Sequence, residues 1–285
     1  MRLFRYGTQG EERPAVMLPD SDHLAIDISD VTPDIDAVFF ETGGLNRVAG
    51  ALSNPARPAF DTRQARTGAP IARPSSIYAI GLNYREHIAE SGMETPSEPL
   101  VFTKAPNSLV GPTDDVVLPR NATKLDWELE LGVVIGRRAS YIASPEAAAG
   151  YIAGYVAAND LSERAWQLER GGQWSKGKSF ATSNPAGPYL ATPDEVNVDD
   201  LRLTLRVNGD VMQEGSTSSM IFGPAYLVWY LSQFVVLEPG DLVDTGTPAG
   251  IGLSKKPPRF LAPGDVIEAE IPVLGRQRNL VVESK

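Results

Sequence analysis

The 285-residue chain contains no cysteine, which removes disulfides, thiolate metal sites and thiol nucleophiles together. A reducing, cytoplasmic setting is consistent with that absence. Histidine is scarce as well: His23 and His87 are the two present, so His-rich zinc sites are excluded and an imidazole base has two candidates. Basic residues are in deficit, 26 against 36 acidic ones, and the net charge of -10 argues against nucleic acid or an anionic membrane as the main partner. A small anion bound at a local site stays compatible with it. No apolar run approaches membrane-spanning length, and the first residues lack the apolar stretch of a signal peptide. The expectation is a soluble cytoplasmic protein.

Proline and glycine punctuate what is present. Residues 61–76 are rich in Arg, Pro, Ala and Gly, with Pro70 and Pro74 and little periodicity, which places a boundary between a small N-terminal domain (1–70) and a larger one (71–285). Short strands at 14–18 and 24–28 and one helix are expected before it. After it, 77–82 reads as a buried strand, and Ser144-Pro145 supplies an N-cap and first residue for a helix over 146–151. Leu201, Leu203, Leu205 and Val207 alternate with polar residues and run into Asn208-Gly209, the signature of a tight hairpin. Gly223-Pro224 opens a helix whose Tyr226, Leu227, Tyr230, Leu231 and Phe234 read as one core stripe. Pro239-Gly240-Asp241 and Pro263-Gly264-Asp265 are turns that each precede a strand. Without regular strand-helix alternation, the fold class is α+β, mainly β.

The most informative stretch runs from Leu125 to Ile135, where carboxylates interrupt an apolar run. In a strand, Asp126, Glu128 and Glu130 line one face while Trp127, Leu129 and Leu131 fill the other. Adjacent buried carboxylates repel and are costly to desolvate unless a cation lies between them. A third carboxylate, Asp160, ends the apolar run 155–159 and is positioned to join them. Three oxygen ligands favour a hard ion: Mg2+ first, then Mn2+ or Ca2+. The competing reading is a half-exposed antiparallel strand with its acids in water.

His87 and Glu90 stand three apart on a short expected helix, so the carboxylate can orient the imidazole for water activation. An ordinary surface pair is the alternative. The segment 93–99 that follows reads as a loop able to close over a ligand. Gly172 to Ser179 matches the phosphate-loop pattern letter for letter. Its context does not: a polar helix precedes it, Pro185 and Pro188 soon follow, and Trp174 crowds a loop that must wrap phosphate. A nucleotide-binding protein is therefore a remote alternative. Lys178 is left as a cation suited to an anionic substrate or to charge developing on an enolate oxygen. Arg164 and Gln167 share a helical face and can clamp a carboxylate. Surface charge is the bland reading for each.

Several phrases together resemble the fumarylacetoacetate hydrolase family over most of residues 77–270. They are Gly81-Leu82-Asn83-Tyr84 with His87 and Glu90, Phe102-Thr103-Lys104, Glu128-Leu129-Glu130-Leu131-Gly132, Asn159-Asp160, Lys178-Ser179-Phe180, Val207-Asn208-Gly209, the 213–220 segment, and Thr245-Gly246-Thr247-Pro248-Ala249-Gly250. The resemblance implies a mixed β-sandwich roll behind a small N-terminal α/β domain, a homodimer or homotetramer, and bound Mg2+ or Mn2+. It implies Glu128, Glu130 and Asp160 as metal ligands, His87, Glu90 and Lys178 as catalytic residues, and Arg164, Gln167 and Thr247 as contacts to a small anionic 2-oxo acid. Segments 169–178 and 256–261 are similar to the bacterial branch that acts on 2,4-diketo-3-deoxy sugar acids. The implied reaction is hydrolysis of the C3–C4 bond of a 2,4-dioxo acid. Lyase, decarboxylase and isomerase chemistries in the same family would use the same ligands.

Overall fold

The computed structural model describes residues 1–54 and 56–284. A ten-stranded mixed sheet organises it, in the order Ala59–Asp61, Leu24–Asp27, Arg13–Met17, Arg2–Tyr6, Leu190–Ala191, Ile152–Asn159, Leu129–Ile135, Leu242–Asp244, Ile77–Gly81 and Leu100–Lys104. A five-stranded sheet orders Asp210–Ser216, Arg202–Val207, Val266–Ile271, Gly275–Glu283 and Val116–Leu118. Leu129, Leu131 and Val133 of the first sheet share one buried cluster with Leu203, Leu205 and Ile267 of the second. The sheets are thus the two walls of a common core, which is the expected sandwich arrangement.

The four N-terminal strands continue the large sheet, because Leu3 pairs with Leu190 and both enter a cluster with Ile77, Val134, Val156 and Leu242. Two helices, Ala37–Glu41 and Gly44–Leu52, lie among these strands in sequence, where one helix was expected. Local punctuation is otherwise as the residues dictate. Ser144 Oγ accepts from the Ala147 amide at the head of Pro145–Ala148, and the hairpin turns at Asn208 and Gly209, both at positive φ.

Two expectations need correction. The acidic stretch is not one continuous strand: Leu125–Asp126 pairs with Ser162–Glu163, and the main strand begins at Leu129. Asp126 stands outside the carboxylate group that Glu128 and Glu130 form with Asp160. The helix Pro224–Ser232 does bury Leu227, Val228 and Leu231, but Tyr226 and Tyr230 are half-buried and Phe234, beyond its end, is 69% exposed. Those aromatics instead stack on one another, Phe222 on Tyr226 and Tyr226 on Tyr230, along the outer face.

Antiparallel register decides where the site forms. Leu129 lies opposite Asn159 and Gly132 opposite Asp244, so the start of one strand meets the ends of its two neighbours. Ile77–Gly81 runs parallel to Leu242–Asp244 and ends at the same edge. Residues 81–91, 126–130, 160–178 and 245–253 therefore converge there.

Candidate active site

Glu128, Glu130 and Asp160 are all buried, and one carboxylate oxygen from each lies within 4.8 Å of the others. A solvated strand is excluded by that burial. Backbone bonding fixes the convergence: the Asp160 amide donates to Glu128 O at 2.8 Å, and the Glu128 amide to Asn159 Oδ1 at 3.0 Å.

Cations are placed unevenly around the three acids. Lys178 donates to Glu128 Oε2 at 2.5 Å and to Asp160 Oδ2 at 2.6 Å, while Lys104 donates to Asp160 Oδ1 and to Ser183 O. Arg164 donates from Nη2 to Glu128 Oε1 at 2.7 Å, from Nε to Asp126 Oδ2 at 2.9 Å and from Nη1 to Gln167 Oε1 at 2.9 Å. Burial alone would raise Glu128, but the charges of Arg164 and Lys178 outweigh it and hold this carboxyl below its usual range. Glu130 is the opposite case. It accepts from the Gly246 amide at 2.6 Å, and burial, followed by the charges of Asp160, Asp244 and Glu128, pushes it well above the usual range. No ion pair joins Glu130 to a cation among the described residues, so a dication seated between the three carboxylates would supply its missing counter-charge. The oxygen-only donor set fits a hard divalent ion.

Gly246 reaches Glu130 because it sits at φ +96°, where a Cβ would lie 2.8 Å from Asn83 Cβ. Asn83 locks the same region, donating to Thr245 O at 2.7 Å and to Phe222 O at 2.9 Å. The helix Arg85–Ser91 follows. His87 Nδ1 is 2.9 Å from Glu90 Oε1, and Glu90 also accepts from the Gly250 amide, so the pair is pinned across the cavity mouth. The pair is thus no loose surface contact. Thr247 donates to Leu129 O and accepts from Gln213, so its hydroxyl proton is committed to the frame.

One cavity of about 90 Å³ is lined by His87, Glu128, Glu130, Arg164, Gln167, Lys178 and Thr247. The anticipated site residues that do not line it are Asp160, which joins the triad from behind, and Glu90, which holds His87. The phosphate-loop spacing forms no nucleotide site: Ser175–Lys178 is a four-residue helix after Arg164–Leu168, and its lysine is buried on carboxylates. The expected loop, 93–99, includes Met93 in the cavity wall.

Four neighbours were assigned no site role by the sequence reading. Lys104 ends the strand Leu100–Lys104 and had been given no role beyond its place in the phrase Phe102-Thr103-Lys104. Asp126 is held by Arg164 and by the amides of Trp127, Gly252 and Leu253, so it props the guanidinium rather than joining the triad. Gln213 braces Leu129 and Thr247. Asp244 is fully buried, and burial, then Asp160, raises it to about 7. Its place inside Leu242-Val243-Asp244 was the available signal.

Residues 76–282 match the family model described as fumarylacetoacetate (FAA) hydrolase, C-terminal. A curated 2,4-didehydro-3-deoxy-L-rhamnonate hydrolase from Sphingomonas sp. (strain SKA58) is 45% identical, over 99% of this chain and 96% of that protein. The fumarylacetoacetate hydrolase of Exiguobacterium antarcticum superposes over the whole of both chains with a TM-score of 0.86 at 31% identity. The maleylpyruvate hydrolase of Sphingobium sp. SYK-6, solved with manganese (II) and pyruvate, does so with a TM-score of 0.81 at 26% identity.

Proposed function

Because the chain belongs to the fumarylacetoacetate hydrolase family and is a hydrolase, we propose that it cleaves the C3–C4 bond of a 2,4-dioxo acid with the help of Mg2+. One observation carries the reading: Glu128 and Glu130 of a buried carboxylate triad, Glu130 without a cationic partner among the described residues, line a cavity with a held imidazole and a buried lysine, and Asp160 completes the triad from behind. The substrate proposed first is 2,4-didehydro-3-deoxy-L-rhamnonate, that is L-2,4-diketo-3-deoxyrhamnonate, the substrate in the name of the 45% identical relative. Its products would be pyruvate and lactate.

Glu128, Glu130 and Asp160 would hold the metal, which when bound supplies Lewis-acid polarisation of the 2-oxo acid. Arg164 and Gln167 orient the substrate carboxylate; each terminal guanidinium nitrogen keeps one N–H beyond those given to Glu128 and Gln167. Thr247 contributes as wall and as acceptor. His87, held by Glu90, takes a proton from water as the oxygen adds to C4. The C3–C4 bond then breaks with its electron pair going to C3, Lys178 offsets the negative charge, and His87 returns the proton to C3. Water and substrate give one acid from C4 and one pyruvate.

A decarboxylase, isomerase or lyase acting through the same ligands is the second reading. Incubation of 2,4-dioxo acids with Mg2+ in 18O water, followed by mass identification of products, separates them. The proposal expects pyruvate plus an acid carrying one solvent oxygen, lost on chelation. Carbon dioxide or an unhydrolysed isomer as the main product overturns it. We also place the enzyme in the cytoplasm as a homo-oligomer. The exposed Leu100 and Val101 on the sheet's edge strand support self-association, and light scattering at the monomer mass of 30.7 kDa would refute it.

A further inference from the structure

Resting on that reading, we infer that the site selects 2,4-dioxo acids whose C4 substituent is uncharged and discriminates against those ending in a second carboxylate. The cavity's basic groups are all committed to acids. Arg164 bridges Asp126 and Glu128, Lys178 bridges Glu128 and Asp160, and His87 faces Glu90. What they and one dication can accept is the single 2-oxo acid head. Beyond it the lining is mostly apolar, with Leu82, Phe102, Leu168, Trp174, Ile251 and Leu253, and its one neutral polar side chain there, Ser91, gives its hydroxyl to Ile88 O.

This apolar wall is built into the fold. The Trp174 ring is seated on Gly81, where a Cβ would meet it at 2.6 Å, and it packs edge-on against Phe102 at 5.4 Å between centroids. Phe102 in turn faces Lys178 Nζ, 5.1 Å from its ring centroid, so the aromatic pair continues the cavity wall beside the lysine. A second carboxylate there loses water and gains no cation among the described lining residues. A methyl-ended chain loses nothing by the same transfer. The crowded Trp174 that spoils the phosphate-loop pattern thereby acquires a role as a specificity wall.

The test compares 2,4-dioxoheptanoate with 2,4-dioxoheptanedioate, chains of equal length that differ in a terminal methyl against a terminal carboxylate. With Mg2+, kcat/KM is expected to favour the monoacid by at least about 100-fold, since an unpaired charge is being desolvated. Leu168, 47% exposed at the rim, is then changed to Arg. Leu168→Arg is expected to shift the ratio toward the diacid by at least about tenfold. Calorimetric binding of both acids to the wild type provides the same ranking without turnover. A diacid bound and hydrolysed within about threefold of the monoacid overturns the inference and leaves the proposed reaction standing. Turnover of neither acid overturns both.

Discussion

Lys178 meets Glu128 as a buried ion pair, its ammonium 2.5 Å from Oε2, and the same nitrogen holds Asp160. Burial lowers the ammonium's proton affinity, but Asp160 and Glu128 outweigh it and raise Lys178 above its ordinary value. Lys178→Met leaves two buried carboxylates short of one cation. Without metal it is expected to lose about 3–5 kcal/mol of stability, and Mg2+ should restore part of that. Urea denaturation with and without Mg2+ checks it, and an equal loss in both conditions would count against a shared cation site.

Metal should stabilise the fold by mass action. At a hundred times its dissociation constant a dication adds about 2.7 kcal/mol, seen as a higher Tm that chelator reverses. Glu130→Gln removes a proposed ligand and relieves the raised carboxyl, so it should be at least as stable as the metal-free wild type and should lose the metal-dependent shift. A Tm rise with Mg2+ that survives in Glu130→Gln would move the ion elsewhere.

Substitution at the cavity mouth should separate chemistry from binding. His87→Ala is expected to lower kcat by about 10²–10⁴ with KM little changed. Glu90→Gln keeps a hydrogen-bond partner for the imidazole and should cost less. A rise in KM with unchanged kcat for His87→Ala would make the residue part of the wall rather than the base.

A pH-dependent contribution sits far from this site. Burial alone would raise Glu12, but the hydrogen bond from Arg66 and the charge of Arg5 prevail and hold it below its ordinary value. A carboxyl depressed on folding stabilises fully above its unfolded value of about 4.3 and stops doing so as pH falls through the folded one. Glu12→Gln should therefore cost about 1–3 kcal/mol at pH 7, with the gap to wild type narrowing below about pH 4. Urea midpoints at the two pH values read it out, and a constant gap would refute it.

The acidic triad was legible because two glutamates at strand spacing and an aspartate at a strand end are local patterns inside apolar runs. His87 with Glu90 and Arg164 with Gln167 were legible for the same reason at helical spacing. Asp126 was misread because the ladder breaks at 127–128, which depends on pairing with Ser162 far along the chain. Lys104 and Asp244 were missed because their roles come from neighbours 56 and 84 residues away, Asp160 in both cases. Likewise, nothing local in Leu3 announces Leu190 as its partner, so the joining of the N-terminal strands to the large sheet was invisible.

The most direct test is a crystal structure with Mn2+ soaked at millimolar concentration and its anomalous signal mapped. The account predicts one ion per chain touching oxygens of Glu128, Glu130 and Asp160 at roughly the 2.1 Å typical of small hard cations. An active enzyme with no ion at that triad, or with its ion held by other residues, would contradict it.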